Sequence, residues 1–310
     1  MVRVRPINQD FVPSPTNLGT KFAIIEPMHQ IGRLVIACPD GPGIVATVSD
    51  FLFQQGANVI HSDQHSTDNR GGRFFMRIEF DLENLDSRLA VLEAAFMPIA
   101  TRFAMSAQWT NASQPKKVSI FASKEDHCLQ ELLWQLRAGD LVAEVTSVIA
   151  NHPEIGEVVK PFGIPFIHIP VAADTKPEAE ARQMEAVTGN DFLILARYMQ
   201  VLSPTFVAAW SHRIINIHHS FLPAFAGANP YAQAHTRGVK LIGATAHYVT
   251  SELDAGPIIE QGVERVDHRS DIRELKRIGR HVERIVLARA VKWHLEDRVL
   301  VDGNRTIVFS

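Results

Sequence analysis

Asn216 and His218 stand two residues apart in the run Ile215-Asn216-Ile217-His218-His219-Ser220-Phe221-Leu222-Pro223. Residues i and i+2 of a strand point to one face, so a carboxamide and an imidazole would project together from an apolar strand. The chain must turn at Pro223. An amide donor beside a proton carrier at a strand's carboxyl end is equipment for attack on a carbonyl. One group holds the developing oxyanion and the other moves the proton. A third group is offered by the stretch His247 to Pro257, where Asp254 lies in a loop between two apolar runs. A carboxylate there either pairs with His218 or orients an attacking water. The plain alternatives are a turn residue bonding its own backbone for Asp254, a strand-end amide satisfying a loop for Asn216, and a satisfied core histidine for His218. His218 and His219 are adjacent, so on a strand they face opposite ways and make a poor chelating pair; no metal is expected.

Two sets of elements must carry these groups. From Ile31 to about Thr110 the order is strand, helix, strand, strand, helix, strand. Leu34 to Ala37 is a short apolar run, and Pro39-Asp40-Gly41-Pro42-Gly43 turns the chain into an amphipathic helix over Ile44 to Gln55, with Gly56 just past its end. Asn58 to Gln64 alternates, Asp68 to Gly72 is a hairpin connection, and Arg73 to Phe80 returns. Arg88 to Phe103 has helical periodicity, with Pro98 as a point where it could break. Asn111 to Pro115 is a polar linker.

From Lys117 onward strands and helices alternate. Strands are expected at Lys117–Ala122, Glu144–Ala150, Pro165–Ile169, Phe192–Ala196, Arg213–His218, Leu241–Val249 and Pro257–Gln261. Helices are expected over Asp126–Arg137, Lys176–Val187 and Pro204 to Ser211, and over a long stretch from Asp271 to Asp297 capped by Ser270. Asp302-Gly303 marks a closing hairpin. Continuous apolar strands separated by helices predict a parallel, doubly wound sheet, whose strand-end loops gather at a ligand crevice. The fold class is thus α/β: an N-terminal ferredoxin-like unit with an antiparallel sheet over 31–110, a linker over 111–116, and a Rossmann-like doubly wound unit over 117–310. Residues 1–30, with four prolines before Ile31, read as an extended arm.

Composition bounds the rest. A chain of 310 residues has room for two cores, and 46% hydrophobic with 21% charged content is ordinary for a globular protein. A formal net charge of −3 leaves no footprint for nucleic acid. No uninterrupted apolar stretch reaches the roughly 18 residues of a membrane span. Cys38 and Cys128 are the only cysteines, which favours a reducing, cytoplasmic setting over a disulfide framework.

The order of the first unit and its Pro-Asp-Gly-Pro-Gly turn resemble the ACT domain, whose members often bind a small amino acid. That resemblance implies an effector, methionine or glycine, near Asp40, Gly41, Gly43 and Asn58, and pairing of sheets into a homodimer or homotetramer. In the second unit, Ile215 to Phe225 together with His247 to Ile259 resemble the folate-dependent formyltransferase fold. Its trio of Asn, His and Asp falls on Asn216, His218 and Asp254. Transferring members usually carry Pro after the histidine, where this chain has His219. The His-His-Ser-Phe-Leu-Pro run, Ser123 to Leu129, Ala196 to Met199, Gly243 to Tyr248 and Gly303 to Ile307 are similar to the deformylases of that fold.

The resemblance implies hydrolysis of 10-formyltetrahydrofolate by water to tetrahydrofolate and formate, feeding purine synthesis, with no cofactor beyond the folate substrate. The alternative is transfer to a non-phosphorylated amine. Substrate contacts are implied at Met199, Gln200, Leu202, His247, Val249 and Ser251. Lys124, Arg197 and Arg237 are candidate cations for the glutamate tail, with ordinary surface charge as the alternative for each. The turn Ala122 to His127 has no glycine and holds Glu125 and Asp126, which would repel the phosphate of a phosphorylated acceptor.

Overall fold

The computed structural model describes residues 29–68, 70–224 and 229–310. The arm over 1–30 therefore lies outside the described residues except for His29 and Gln30, which open the first strand. Four strands and two helices form the N-terminal unit: β1 (His29–Pro39), α1 (Ile44–Gln54), β2 (Asn58–Ser66), β3 (Arg73–Glu83), α2 (Leu85–Arg102) and β4 (Ser106–Asn111). The sheet order is β2-β3-β1-β4 and its pairs are antiparallel. Alternating burial along β1 sends Leu34, Ile36 and Cys38 into a core with Val48, Phe51 and Leu52 of α1 and Leu92 and Phe96 of α2. Gly56 follows α1 with φ 76°, the left-handed C′ conformation expected of it. Pro98 sits inside α2 and does not end it. Proline frees the carbonyl four residues earlier, and here both Pro98 and Ala94 face water, which satisfies that carbonyl.

The second unit comprises β5 (Lys116–Ala122), α3 (His127–Ala138), β6 (Ala143–Ala150), α4 (Ile155–Val159), β7 (Phe166–His168), α5 (Lys176–Ala186), β8 (Phe192–Ala196), α6 (Pro204–Ala209), β9 (Ile214–His218), α7 (Pro230–Arg237), β10 (Leu241–Tyr248), β11 (Ile258–Arg265), α8 (Ile272–Leu295), β12 (Val299–Asp302) and β13 (Arg305–Val308). Seven strands form one sheet in the order β11-β10-β9-β8-β5-β6-β7. β5 to β9 pair in parallel, but β10 is antiparallel to both β9 and β11, so the sheet is mixed rather than wholly parallel. The reason is local: only the loop 249–257 joins β10 to β11, too short for the crossover that a parallel pair needs.

Helices α3 and α8 cover one face of the sheet, where Leu129, Leu132 and Leu133 meet Val286, Leu287 and Ala290. Helices α5 and α6 cover the other, around Phe121, Leu193 and Leu195. α8 is capped by Asp271, whose side chain accepts the Glu274 N–H, and not by Ser270 as the sequence suggests. Its far end meets the first unit. Arg33 donates to the Leu295 carbonyl, Arg77 to that of Glu296, and Lys116 to that of His294. Cations thus satisfy carbonyls that the helix leaves open at its negative end. No helix among the described residues is long and apolar enough to cross a membrane.

Candidate active site

The chain runs from β5 outward through β6 to β7 and then returns to the other side of β5 as β8. Such a reversal opens a crevice at the carboxyl ends of the strands. A cavity of about 540 Å³ lies there, and its walls include Glu125 after β5, Arg197 to Leu202 after β8, and Asn216 to His219 at the end of β9. The loop Val249 to Asp254 closes one side and α8 the other. Met199, Gln200, Leu202, His247, Val249 and Ser251, read from the sequence as substrate contacts, all line this cavity.

Asn216 and His218 share a face of β9, as their spacing requires. Asp254 reaches them from its loop: Nδ1 of His218 lies 3.2 Å from Oδ2 of Asp254. A carboxylate oxygen can only accept, so Nδ1 carries the proton, and in the neutral tautomer Nε2 holds a lone pair. That Nε2 is buried and has no hydrogen-bond partner among the described residues, on a side chain that lines the cavity. The hydrogen bond from His218 keeps Asp254 below the usual carboxylate range, against its partial burial. Asp254 has φ 56°, a left-handed backbone that a non-glycine residue adopts at some cost, and two residues on Gly256 leaves no room for a Cβ, which would stand 1.8 Å from the Tyr248 carbonyl. The loop is folded tightly onto the end of β10, and that aims the carboxylate.

His247 lines the cavity and also holds Asn216. The antiparallel register sets it directly opposite Asn216, at a bulge in β10. Its Nδ1 lies 3.0 Å from the Tyr248 carbonyl, so that nitrogen is the donor. Its Nε2 then accepts from Asn216 Nδ2 at 3.2 Å. One amide hydrogen of Asn216 is spent on His247, and the second is left for the cavity. Burial lowers the His247 pKa, which keeps the ring neutral and able to accept.

His219 does not turn away from His218. The strand stops at His218, the alternation ends with it, and the two ring centroids are 5.2 Å apart. Arg197 lines the cavity, with its guanidinium nearly buried and Nε 3.3 Å from Glu283. Lys124 and Arg237 do not line the cavity, whereas Lys276 and Arg280 of α8 do. Arg280 lies 4.0 Å from Glu125, so charge repulsion alone does not close this wall to a phosphate.

Sequence reasoning missed Glu283. It is 1% exposed, lines the cavity, accepts from Tyr231 Oη at 2.5 Å and bonds His127 Nε2 at 2.8 Å. Burial pushes its carboxyl up, but His127, Arg197 and Tyr231 together hold it below the ordinary range. The signal was its position: Leu275, Gly279, Val282, Val286, Leu287 and Ala290 form the buried stripe of α8, and Glu283 falls on it. His127, Cys128 and Glu283 bring three ligand-type atoms within 4.8 Å of one another. Their chemistry is against a cation. His127 and Glu283 are bonded to each other, the Arg197 charge adjoins them, and burial raises the Cys128 thiol far above its usual pKa.

Residues 116–291 match the formyl transferase family model and residues 32–96 the ACT domain model. The formyltetrahydrofolate deformylase of Bacillus subtilis (strain 168) is 57% identical over 281 residues, covering 90% of this chain and 94% of the relative. The chain belongs to the formyltetrahydrofolate deformylase family. The Escherichia coli (strain K12) deformylase is 42% identical and is matched over 100% of its length, with 91% of this chain covered. The crystal structure of the deformylase from Pseudomonas syringae pv. tomato superposes with a TM-score of 0.86 at 47% identity, covering 93% of this chain and 96% of that one. The family's two-part order, ACT ahead of formyltransferase, is the order of the two sheets described above.

The ACT positions Asp40, Gly41 and Gly43 lie in the β1–α1 turn, where Ser66 donates to Asp40 Oδ2 at 2.6 Å and Gly43 has φ 87°. Asn58 opens β2 and is exposed.

Proposed function

We propose that this chain hydrolyses 10-formyltetrahydrofolate to tetrahydrofolate and formate, with Asn216, His218 and Asp254 as the reacting trio. The observation that carries the reading is the free Nε2 of His218, backed by Asp254 and set beside the free amide hydrogen of Asn216. His218 takes a proton from water as the water oxygen bonds to the formyl carbon. The carbonyl electron pair moves to an oxygen held by Asn216. His218 then returns the proton to N10 as the C–N bond breaks. Asp254 keeps the ring in the working tautomer and balances its charge while it is protonated, as in other carboxylate–histidine pairs. The residues of the cavity's apolar side, Met199, Leu202 and Val249 with Gln200 and Ser251, hold the folate. Transfer to an amine is the weaker reading, because the relatives that match over nearly the whole chain are named deformylases.

Formate release from 10-formyltetrahydrofolate with no amine present tests the proposal. The parent should turn over and Asp254→Ala should lose roughly 10³-fold or more; a parent that releases formate only when an amine is supplied would reverse the reading.

The enzyme works in the cytoplasm on the folate and water, without a metal. β2 is an edge strand with exposed Val59 and Ile60, and a second copy of the chain fits there by edge pairing, giving a homodimer or homotetramer. Methionine or glycine binds near Asp40, Gly41, Gly43 and Asn58 as effector. Light scattering of the full chain, with and without each amino acid, reads both statements; a monomer that ignores both compounds would remove them.

A further inference from the structure

Arg197 follows β8 with φ 62°, a left-handed backbone that a residue other than glycine holds at some cost. Its guanidinium lines the cavity beside α8, with Nε 3.3 Å from Oε2 of Glu283. Among the described residues, Nε and Nη1 are sealed in protein with no hydrogen-bond partner, and Nη2 is neither bonded nor sealed. A guanidinium carries five N–H donors in a fixed fork that matches a carboxylate. The cluster reaches the catalytic ring through a short chain of contacts. Tyr231 donates to Glu283 Oε1, its ring centroid is 6.0 Å from that of His219, and His219 is 5.2 Å from His218. Burial first, and the Arg197 charge second, bring the His219 pKa down to about 4.

The two sides of the cavity differ in charge. The wall built by α8 and the loops after β5 and β8 presents Arg197, Lys276 and Arg280 against Glu125 and Glu283. The loop Val249 to Asp254 presents Glu252 and Asp254 and no cation. Hydrolysis makes an anion between them. Once N10 has taken its proton from His218, the fragment left is formic acid. The freed Nε2 of His218 takes the acid proton and passes it to solvent, and a carboxylate remains, ionised at neutral pH. It then lies near Asp254, which the hydrogen bond from His218 keeps ionised. Like charges repel, the folate fills the apolar side, and the cations of the α8 wall draw the anion the other way.

We propose that Arg197 is the seat of the product formate, which leaves along the α8 wall past Arg280 and Lys276 and not through the folate's side. The inference rests on the reading of the reaction given above. Nη2 of Arg197 donates to a formate oxygen, and Glu283 on its other edge holds the guanidinium in place. The two products therefore have separate routes, and formate binds the protein whether or not a folate is present.

The test titrates sodium formate into the full-length protein at constant ionic strength, balanced with sodium chloride. Tetrahydrofolate formation is followed by absorbance, and the thermal midpoint is measured on the same protein without folate. In the parent, formate should inhibit more strongly than chloride and should raise the midpoint, as any ligand of the native state does. Arg197→Met should raise the inhibition constant for formate roughly 10- to 150-fold, the loss of one charge-assisted hydrogen bond, with KM for the folate within about twofold. The midpoint rise should vanish with it. Arg280→Ala, at the half-exposed part of the wall, should raise that constant roughly two- to fivefold. Should Arg197→Met fail to fold because Glu283 is left a lone buried charge, Arg197→Met/Glu283→Gln compared with Glu283→Gln alone carries the same measurement. A parent that responds to formate no more than to chloride overturns the proposal. So does an Arg197 variant that keeps the parent's inhibition constant, or that raises KM instead, the mark of a glutamate-tail contact. A parent that releases no formate from 10-formyltetrahydrofolate overturns the reaction itself, a result distinguishable from these because the midpoint is read without folate.

Discussion

At the scale of single residues, the site separates groups that face the substrate from groups that aim them. Asn216 belongs to the first kind. Asn216→Ala removes one preorganised oxyanion donor and should lower kcat by roughly 10²- to 10³-fold with little change in KM. His247 belongs to the second, because its Nε2 takes one amide hydrogen of Asn216 and so fixes where the other points. His247→Phe should lower kcat by roughly tenfold, and His247→Gln, which restores an acceptor, should recover part of it; equal losses in both, with a matching fall in thermal midpoint, would reduce His247 to a packing residue.

The spacing of Asn216 and His218 was legible because strand geometry alone puts i and i+2 on one face. Asp254 was not legible from spacing, since a loop carboxylate can cap its own turn as readily as reach a histidine; only the resemblance assigned it. The adjacency of His218 and His219 misled, because alternation holds only while the strand lasts, and it ends at His218.

At the scale of elements, α8 is the part whose sequence says least about its importance. Its amphipathic period is plain, but a glutamate on the buried stripe looks like noise until its partners are in place. Gly279 makes those partners possible: a Cβ there would stand 1.9 Å from the Tyr231 hydroxyl. Gly279→Ala must push Tyr231 away from Glu283. Helix propensity favours alanine over glycine by about 1 kcal/mol, whereas overpacking costs about 1–3 kcal/mol and the displaced phenol leaves a buried carboxylate short of a donor. The clash wins, so the variant should be less stable and less active, and a gain in thermal midpoint would contradict the tight contact.

Most other elements could be located from the sequence. Phe192 to Ala196 is apolar at every position because both faces of β8 are covered. The antiparallel turn of the sheet at β10 was not seen, since a run of apolar residues carries no direction. Helices α4 and α7 were also missed: five and eight residues are too few for a period to stand out.

At the scale of the whole molecule, buried histidines set the response to acid. Burial, with the Lys116 charge, holds His294 at about 3, and His219 is held at about 4. In the unfolded chain both titrate near 6.5. Their folded pKa values are depressed, so between about 6.5 and those values the unfolded chain binds protons that the native state refuses. Stability present above pH 6.5 is therefore lost as pH falls, at up to about 1.4 kcal/mol per pH unit for each group. The lowered carboxylates Glu79, Asp254 and Glu283 extend the loss below the ordinary carboxylate range. The thermal midpoint should fall steadily from pH 7 to pH 4, and His294→Gln should flatten that slope. A midpoint that holds level down to pH 5 in the parent would contradict this account.

The far end of α8 bears on how such a chain could be cut or recombined. The carbonyls of Leu295 and Glu296 take their donors from Arg33 and Arg77, and Asp297 draws on Arg33 as well as Lys116. A fragment starting at Lys116 would expose those acceptors to water and lose the charges that steady the end of the helix whose middle carries Glu283. A foreign ACT sheet spliced in front would restore them only if it brought guanidinium groups to the same two strands. In this chain a cut at Lys116 would pass through a working joint, and the interchangeable part is smaller than either domain.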